Sequence, residues 1–153
     1  MAFFIAYINM RHFYSPLVVL TILCSCSPTN QTKSKDLDYA DFLDRHVLYN
    51  EIFIKEEESY LVYFYSEYCG YCQSIKEDIL TFASEEYFPL YFCNDIDNFV
   101  LYGSVETTIG CDDVSCLAIC GTPSLMRIES HKVMENICGR SSVLAYLSFY
   151  IDK

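Results

Sequence analysis

Positive charge is scarce in this chain. Ten Lys and Arg stand against 21 Asp and Glu, giving a formal net charge of −11 at pH 7. Nine of those ten basic residues and all of the acids lie beyond residue 26, so the bulk of the chain is strongly acidic. That balance excludes nucleic acid as a partner, because its binders need clustered Lys and Arg. Anionic lipid would also repel such a surface, so any membrane attachment must come from a dedicated segment. Tryptophan is absent, and the aromatic content comes from 14 Tyr and 11 Phe. There is no internal repeat. The apolar stretch from Phe13 to Leu23 is only 11 residues long, too short to span a bilayer. At 153 residues, 52% of them hydrophobic, the chain has room for a leader and one domain with a packed core.

Cysteine is what the chain has in plenty, nine in all. Cys24 and Cys26 lie near the N-terminus, and the other seven fall between Cys69 and Cys138. Such a count favours an oxidising compartment. If Cys69 and Cys72 pair with each other, then Cys93, Cys111, Cys116, Cys120 and Cys138 remain. Five cannot all pair among themselves, so at least one is free or bonded outside the chain.

Residues 1–26 read as an export signal: Met10, Arg11 and His12 form a short basic start and Phe13 to Leu23 an apolar core. Either Met1 or the internal Met10 is then the start, the second reading making residues 1–9 an upstream extension. Leu23-Cys24-Ser25-Cys26 resembles a bacterial lipobox, which implies that Cys26 is acylated and becomes the mature N-terminus. The competing reading is an uncleaved anchor over 3–23, which would bury the charge of Arg11 at a cost. Residues 27–35, SPTNQTKSK, are polar and aperiodic and read as a flexible tether reaching about 15–18 Å. The expected organisation is therefore a signal peptide over 1–26, a tether over 27–35 and a folded domain over 36–153.

The stretch from Leu61 to Ile79 organises that domain. Leu61 to Tyr65 is an unbroken β-branched, aromatic and aliphatic run, suited to a central strand covered on both faces. Cys72, Ile75, Ile79 and Phe82 then recur on one face of a helix running to about Ser84. Cys69 and Cys72 sit at the junction, where two thiols separated by two residues close a small disulfide ring. Unpaired backbone N–H groups there favour a thiolate at the first of them. A redox-active dithiol is the reading.

Around it, Phe42, Leu43, Val47 and Leu48 predict a helical face capped by Asp38 or Asp41. Lys55 to Glu58 reads as a solvated turn. Residues 89–93 predict a second core strand, residues 99–109 a helix, and residues 110–121 a cysteine-rich loop. Thr122 to Ile128 enters a strand, residues 133–138 return beside it, and residues 141–151 form a closing helix with Ser141 as its cap.

That order, strand–CxxC–helix–strand–helix–Thr-Pro–hairpin–helix, resembles the thioredoxin superfamily over roughly residues 36–153. The resemblance implies an α/β thioredoxin-like fold: a central mixed β-sheet flanked by helices, here with a cysteine-rich insertion before the strand that follows Pro123. It implies a cis Pro123 lying against the dithiol, and a Thr122 backbone offered to an extended substrate. It makes Cys69 the nucleophile and Cys72 the resolving thiol, with Gly70 and Tyr71 tuning and contacting the substrate side. Cys69-Gly70-Tyr71-Cys72 and Gly121-Thr122-Pro123 resemble the catalytic domains of periplasmic disulfide isomerases, although no separate dimerisation domain is present. Tyr63 stands where thioredoxins keep a buried acid, so removal of the Cys72 proton needs another group, Glu67 or water. The implied partners are protein thiols and disulfides and a membrane or extracytoplasmic redox protein; no metal or organic cofactor is implied.

Two other classes compete. Cys69, Cys72, Cys116 and Cys120 together would offer four thiolates to zinc. A thioredoxin-like domain acting only as a binding module is the second, though it has less reason to keep both thiols. Within the loop, Cys111, Cys116 and Cys120 read either as a structural disulfide or as a relay of electrons to the Cys69–Cys72 pair. Cys93 and Cys138 read as buried small hydrophobes on strands, and His46, His131, Arg127 and Lys132 as surface residues.

Overall fold

Four strands account for most of the hydrogen-bonded framework: β1 Ser59–Phe64, β2 Leu90–Cys93, β3 Ser124–Glu129 and β4 Lys132–Cys138. They form one sheet in the order β2-β1-β3-β4. The β1–β2 pair is parallel, while β1–β3 and β3–β4 are antiparallel, so the sheet is mixed. This computed structural model describes residues 36–101 and 105–152. The export signal, the lipobox with Cys26 and the tether lie outside the described residues.

The helices are α1 Gly70–Gln73, α2 Lys76–Ser84, α3 Val105–Thr108 and α4 Arg140–Ile151. Strand alternation divides β1 between two apolar layers. Leu61 and Tyr63, followed by Tyr65, face a cluster with Ile79, Leu80, Phe82, Val143 and Leu147 from α2 and α4. Tyr60, Val62 and Phe64 face the other way, against Tyr49, Ile52, Phe53, Leu117 and Ile119. Every residue from Tyr60 to Phe64 is fully buried, as the unbroken run in the sequence predicts. Among the described residues, no helix is long and apolar enough to cross a membrane.

Several expectations need correction. Residues 39–51 form two short 3-10 helices, Tyr39–Arg45 and Tyr49–Glu51, rather than one amphipathic helix. Tyr39, Phe42, Val47 and Tyr49 are buried there, while Leu43 and Leu48 are exposed. The aromatic rings, not the helical spacing of the aliphatics, decide which side turns inward. Asp38 does cap the segment, accepting from the Ala40 N–H at 3.2 Å while Asp41 accepts from the Asp38 N–H at 2.9 Å.

The helix after the dithiol is broken. Ile75 leaves helical geometry (φ −122°) between α1 and α2, yet Cys72, Ile75, Ile79 and Phe82 are all buried as predicted. Of the helix expected over residues 99–109 only α3 is seen, and Leu101 instead makes a bridge with Ile119. The cap of α4 is Gly139, at φ +83°, where its lack of a side chain lets β4 turn directly into the helix; Ser141 lies inside α4.

The cysteine-rich segment packs along the second layer. Gly110 N–H donates to the Val133 carbonyl at 2.7 Å and Val133 N–H to the Cys111 carbonyl at 2.8 Å, joining it to β4. Asn136 donates to the Thr108 hydroxyl and the Ala118 carbonyl. Cys111 and Cys116 are bonded, as are Cys120 and Cys138, with Cα separations of 5.9 and 6.1 Å. Cys138 is therefore half of a disulfide rather than a free buried hydrophobe. Cys93 is free and fully buried, and burial pushes its thiol up to about 12.

Phe92 is fully buried and carries the densest ring packing, with Tyr39, Phe42 and His46 centroids at 5.5, 5.6 and 5.5 Å. A Phe92→Ala variant is expected to lose about 3–5 kcal/mol of folding stability, read from the midpoint and slope of urea unfolding. A loss below about 1 kcal/mol would show that this cluster is not the centre of the core.

Candidate functional site

The end of β1 delivers the chain to the surface. Tyr65 is the last buried residue, its N–H held by the Cys93 carbonyl at 3.0 Å, and Ser66 to Tyr68 then turn outward. Ser66 Oγ accepts the Tyr68 N–H at 3.2 Å and the Ser66 carbonyl accepts the Cys69 N–H at 3.1 Å. This turn sets Cys69 as the cap of α1, with its sulfur accepting the Cys72 N–H at 3.2 Å. Cys69 is half-buried and Cys72, one turn inward, is buried. Both are free thiols.

The Cys-rich segment and β3 bring the second wall. The Thr122–Pro123 peptide is cis, and the Thr122 carbonyl accepts from the Cys69 thiol at 3.3 Å. Gly139 N–H donates to the Pro123 carbonyl at 2.9 Å, tying this turn to the start of α4. Beside it, a shallow groove of about 250 Å³ is lined by Cys120, Gly121, Thr122, Pro123, Ser124, Cys138 and Gly139. Cys69, Thr122 and Pro123, far apart in sequence, thus meet on one surface, with Cys72 beneath.

The two sulfurs have opposite acidities. Burial works against the Cys69 thiolate, but hydrogen bonds from Cys72, Thr122 and the Cys72 and Tyr71 backbone outweigh it, and its pKa falls below the ordinary cysteine value. Cys72 goes the other way. Burial first, then its neighbour Cys69, push it up to about 11. An accessible low-pKa thiol is suited to attack, while the buried thiol beneath it must first lose its proton before it can resolve the mixed disulfide.

The remaining expected residues fall as follows. Gly70 is exposed, and an added Cβ would meet nothing within 4 Å, so no backbone constraint demands glycine there. Tyr71 is 67% exposed, with the Arg140 guanidinium 6.0 Å from its ring centre. Glu67 is exposed at the surface, its carbonyl accepting from Gln73 at 3.0 Å, and nothing connects its carboxylate to Cys72. The four-thiolate zinc arrangement does not form, because Cys116 and Cys120 are each consumed in a different disulfide. Cys111–Cys116 pins the insertion, and Cys120–Cys138 lies in the groove wall beside Thr122 and Pro123.

Sequence reasoning passed over Tyr68, Arg140 and Tyr39. Tyr68 is 92% exposed beside Cys69, and only its place in the turn marks it. Tyr39 comes from the N-terminal 3-10 segment and stacks on Tyr65 at 4.0 Å, a contact with no local signature. His46 is half-buried rather than superficial: Nδ1–H donates to the Phe42 carbonyl at 3.0 Å, so Nε2 accepts from the Tyr65 hydroxyl at 2.9 Å.

A dithiol of unequal acidity, at a strand-to-helix junction and facing a cis-proline turn, defines the class of thiol–disulfide exchange proteins. The thioredoxin family model matches residues 43–149, more than half of the chain, and the protein belongs to that family. The family's members are thiol–disulfide oxidoreductases acting on protein thiols and disulfides, and this chain is one in that general sense. It is similar to mitochondrial thioredoxin 3 from Saccharomyces cerevisiae, with 14% identity, 71% of this chain and 93% of that one covered, and a TM-score of 0.47. A Plasmodium falciparum thioredoxin shows 19% identity over 69% and 98% of the two chains, with a TM-score of 0.47. A Schistosoma mansoni thioredoxin pre-protein shows 20% over 65% and 81%, at 0.43. No curated protein matches the chain.

Alkylation of the reduced, folded protein as a function of pH checks the site directly. Cys69 is expected to react with a midpoint below pH 9 and Cys72 only as the pH approaches about 11, with Cys93 protected throughout. Peptide mapping that found Cys72 modified before Cys69 would contradict the assignment.

Proposed function

We propose that the protein is an extracytoplasmic thiol–disulfide oxidoreductase, tethered to the membrane through Cys26, that exchanges disulfides with protein substrates through Cys69 and Cys72. The observation that carries the chemistry is the placement of the two sulfurs. Cys69 is accessible and held by the Cys72 N–H at 3.2 Å against the Thr122 turn, while Cys72 lies buried one turn behind.

In the reducing direction the Cys69 thiolate attacks a substrate disulfide. A Cys69–substrate bond forms and the first substrate sulfur leaves, taking up a proton. Cys72 then loses its proton and attacks the Cys69 sulfur. The Cys69–Cys72 disulfide forms, the second substrate sulfur is released and protonated, and two electrons have passed to the substrate. The oxidising direction reverses each step, and the more reducing partner sets the direction. An extended substrate segment would lie along Thr122 and Pro123, offering backbone hydrogen bonds as in strand addition. Tyr68 and Tyr71 give it exposed aromatic contact on the other side of Cys69. A membrane or extracytoplasmic redox protein of the same dithiol type would recycle the pair.

The location rests on the lipobox-like Leu23-Cys24-Ser25-Cys26 stretch. It is supported by the two disulfides, Cys111–Cys116 and Cys120–Cys138, which persist where thiols are not kept reduced.

Two variants test the proposal. Cys72→Ser is expected to accumulate mixed disulfides with extracytoplasmic proteins through Cys69, and Cys69→Ser to accumulate none; equal trapping by both would overturn the roles. Cys26→Ala is expected to release the protein from the membrane fraction, and undiminished retention would remove the lipid anchor from the account.

A further inference from the structure

Among the described residues, none of those buried around Cys72 is a carboxylate. Cys72 shares one buried cluster with Tyr63 and Tyr65 from the end of β1 and with Tyr39 from the N-terminal 3-10 segment. These phenols form a stack, with Tyr63 and Tyr65 centroids 5.8 Å apart and nearly parallel, and Tyr39 and Tyr65 4.0 Å apart. Their hydroxyls differ sharply. Tyr65 spends its proton on His46 Nε2 at 2.9 Å. Tyr63 is fully buried and Tyr39 is 7% exposed, and neither hydroxyl has a hydrogen-bond partner of good geometry in the dithiol state. Yet both share the buried cluster with Cys72, whose sulfur helps to push the two phenols above the ordinary tyrosine range.

A buried, unpartnered hydroxyl is costly unless another state of the molecule uses it. The other state here is the one in which Cys72 ionises beneath a Cys69–substrate disulfide. We propose that Tyr63 is a positioning residue whose hydroxyl donates a hydrogen bond to the Cys72 sulfur as its thiolate forms, supporting resolution where no buried acid is present. The inference rests on Cys69 as the attacking and Cys72 as the resolving thiol.

Tyr63 does not serve as a base. Burial, reinforced by Tyr39 and Cys72, holds its hydroxyl protonated far above the ordinary tyrosine range, so it only donates. The balance of the step is unchanged: Cys72–SH and Cys69–S–S–substrate become Cys69–S–S–Cys72 and substrate–SH. The proton leaves Cys72 and ends on the departing sulfur, and Tyr63 keeps its own. What the hydroxyl supplies is one more donor on the buried side of that sulfur, beside the Ser66 backbone and the Thr122 side chain that already favour its ionisation. Of the other ionisable groups around this layer, Lys76, paired with Asp38, lies over the Tyr39 ring at 5.1 Å, Glu67 is exposed, and Tyr146 and Tyr150 pack from α4. None of them makes a hydrogen bond to Cys72.

The test mixes reduced protein with glutathione disulfide across pH 5 to 10, quenches with acid, and follows decay of the Cys69–glutathione intermediate by mass. Tyr63→Phe keeps the ring and removes only the hydroxyl. It is expected to shift the pH midpoint of resolution upward by roughly one unit and to slow decay at pH 7 roughly tenfold. Because the lost hydroxyl has no partner in the dithiol state, the thermal midpoint should hold or rise, separating this effect from loss of fold. Tyr65→Phe, which removes a hydroxyl aimed at His46, is the control expected to leave the profile in place. A Tyr63→Phe profile superimposable on the unaltered protein's, or an equal shift from Tyr65→Phe, overturns the role of Tyr63 alone. An unaltered protein whose intermediate never decays overturns the exchange reading and this inference together.

Discussion

Strand β1 is hydrogen-bonded along both edges, in parallel to β2 and antiparallel to β3, and packed on both faces. That double restraint fixes where its last residue points. Since Phe64 pairs with Ser124 and with Cys93, the chain leaving β1 emerges next to the Thr122–Pro123 turn. Cys69 follows five residues later, close enough for its sulfur to contact Thr122. The site therefore depends on sheet register more than on the CxxC spacing. A two-residue motif alone would form a small ring anywhere, but only this register places a cis-proline turn across from it. The Cys120–Cys138 and Cys111–Cys116 bonds act on the same framework, one at the ends of β3 and β4 and the other within the insertion that covers the second face.

Among the described residues, no charged side chain is buried. Tyr63, Tyr65, Tyr39 and Phe92 fill the layer beneath the dithiol, so acidity at the two sulfurs is set by burial and neutral hydrogen bonds. The acid excess of the composition stays outside: Glu56, Glu58, Glu85, Glu86 and Asp112 are surface residues, while Glu57 is only partly exposed, accepting from Tyr91 at 2.6 Å. Net charge thus bears on solubility and partners rather than on the fold.

What the sequence made legible follows from physical range. β1, the helical face through Ile75, Ile79 and Phe82, and the closing hairpin and helix are read from short-range patterns, and all are present. The 39–51 segment was misread because aliphatic spacing was taken as its inward face. Aromatic stacking of Tyr39 on Tyr65 decides that packing, and it joins residues that are far apart in sequence. Cysteine pairing was illegible for the same reason: Cys120 and Cys138 are brought together only by the β3–β4 hairpin. The parity argument did foresee an unpaired cysteine, and Cys93 is it. Tyr63 was visible as a departure from the family's buried acid. Its unpartnered hydroxyl, which gives that departure a consequence, is seen only in three dimensions.

The central claim is that Cys69 and Cys72 form one reversible two-electron couple while the other disulfides stay closed. Equilibration in glutathione buffers, with alkylated thiols counted by mass and mapped to residues, tests it most directly. The account predicts that this pair alone titrates, as a single two-electron transition between about −270 and −120 mV. A pair locked in one state across that range, or titration of Cys120–Cys138 in its place, would contradict it.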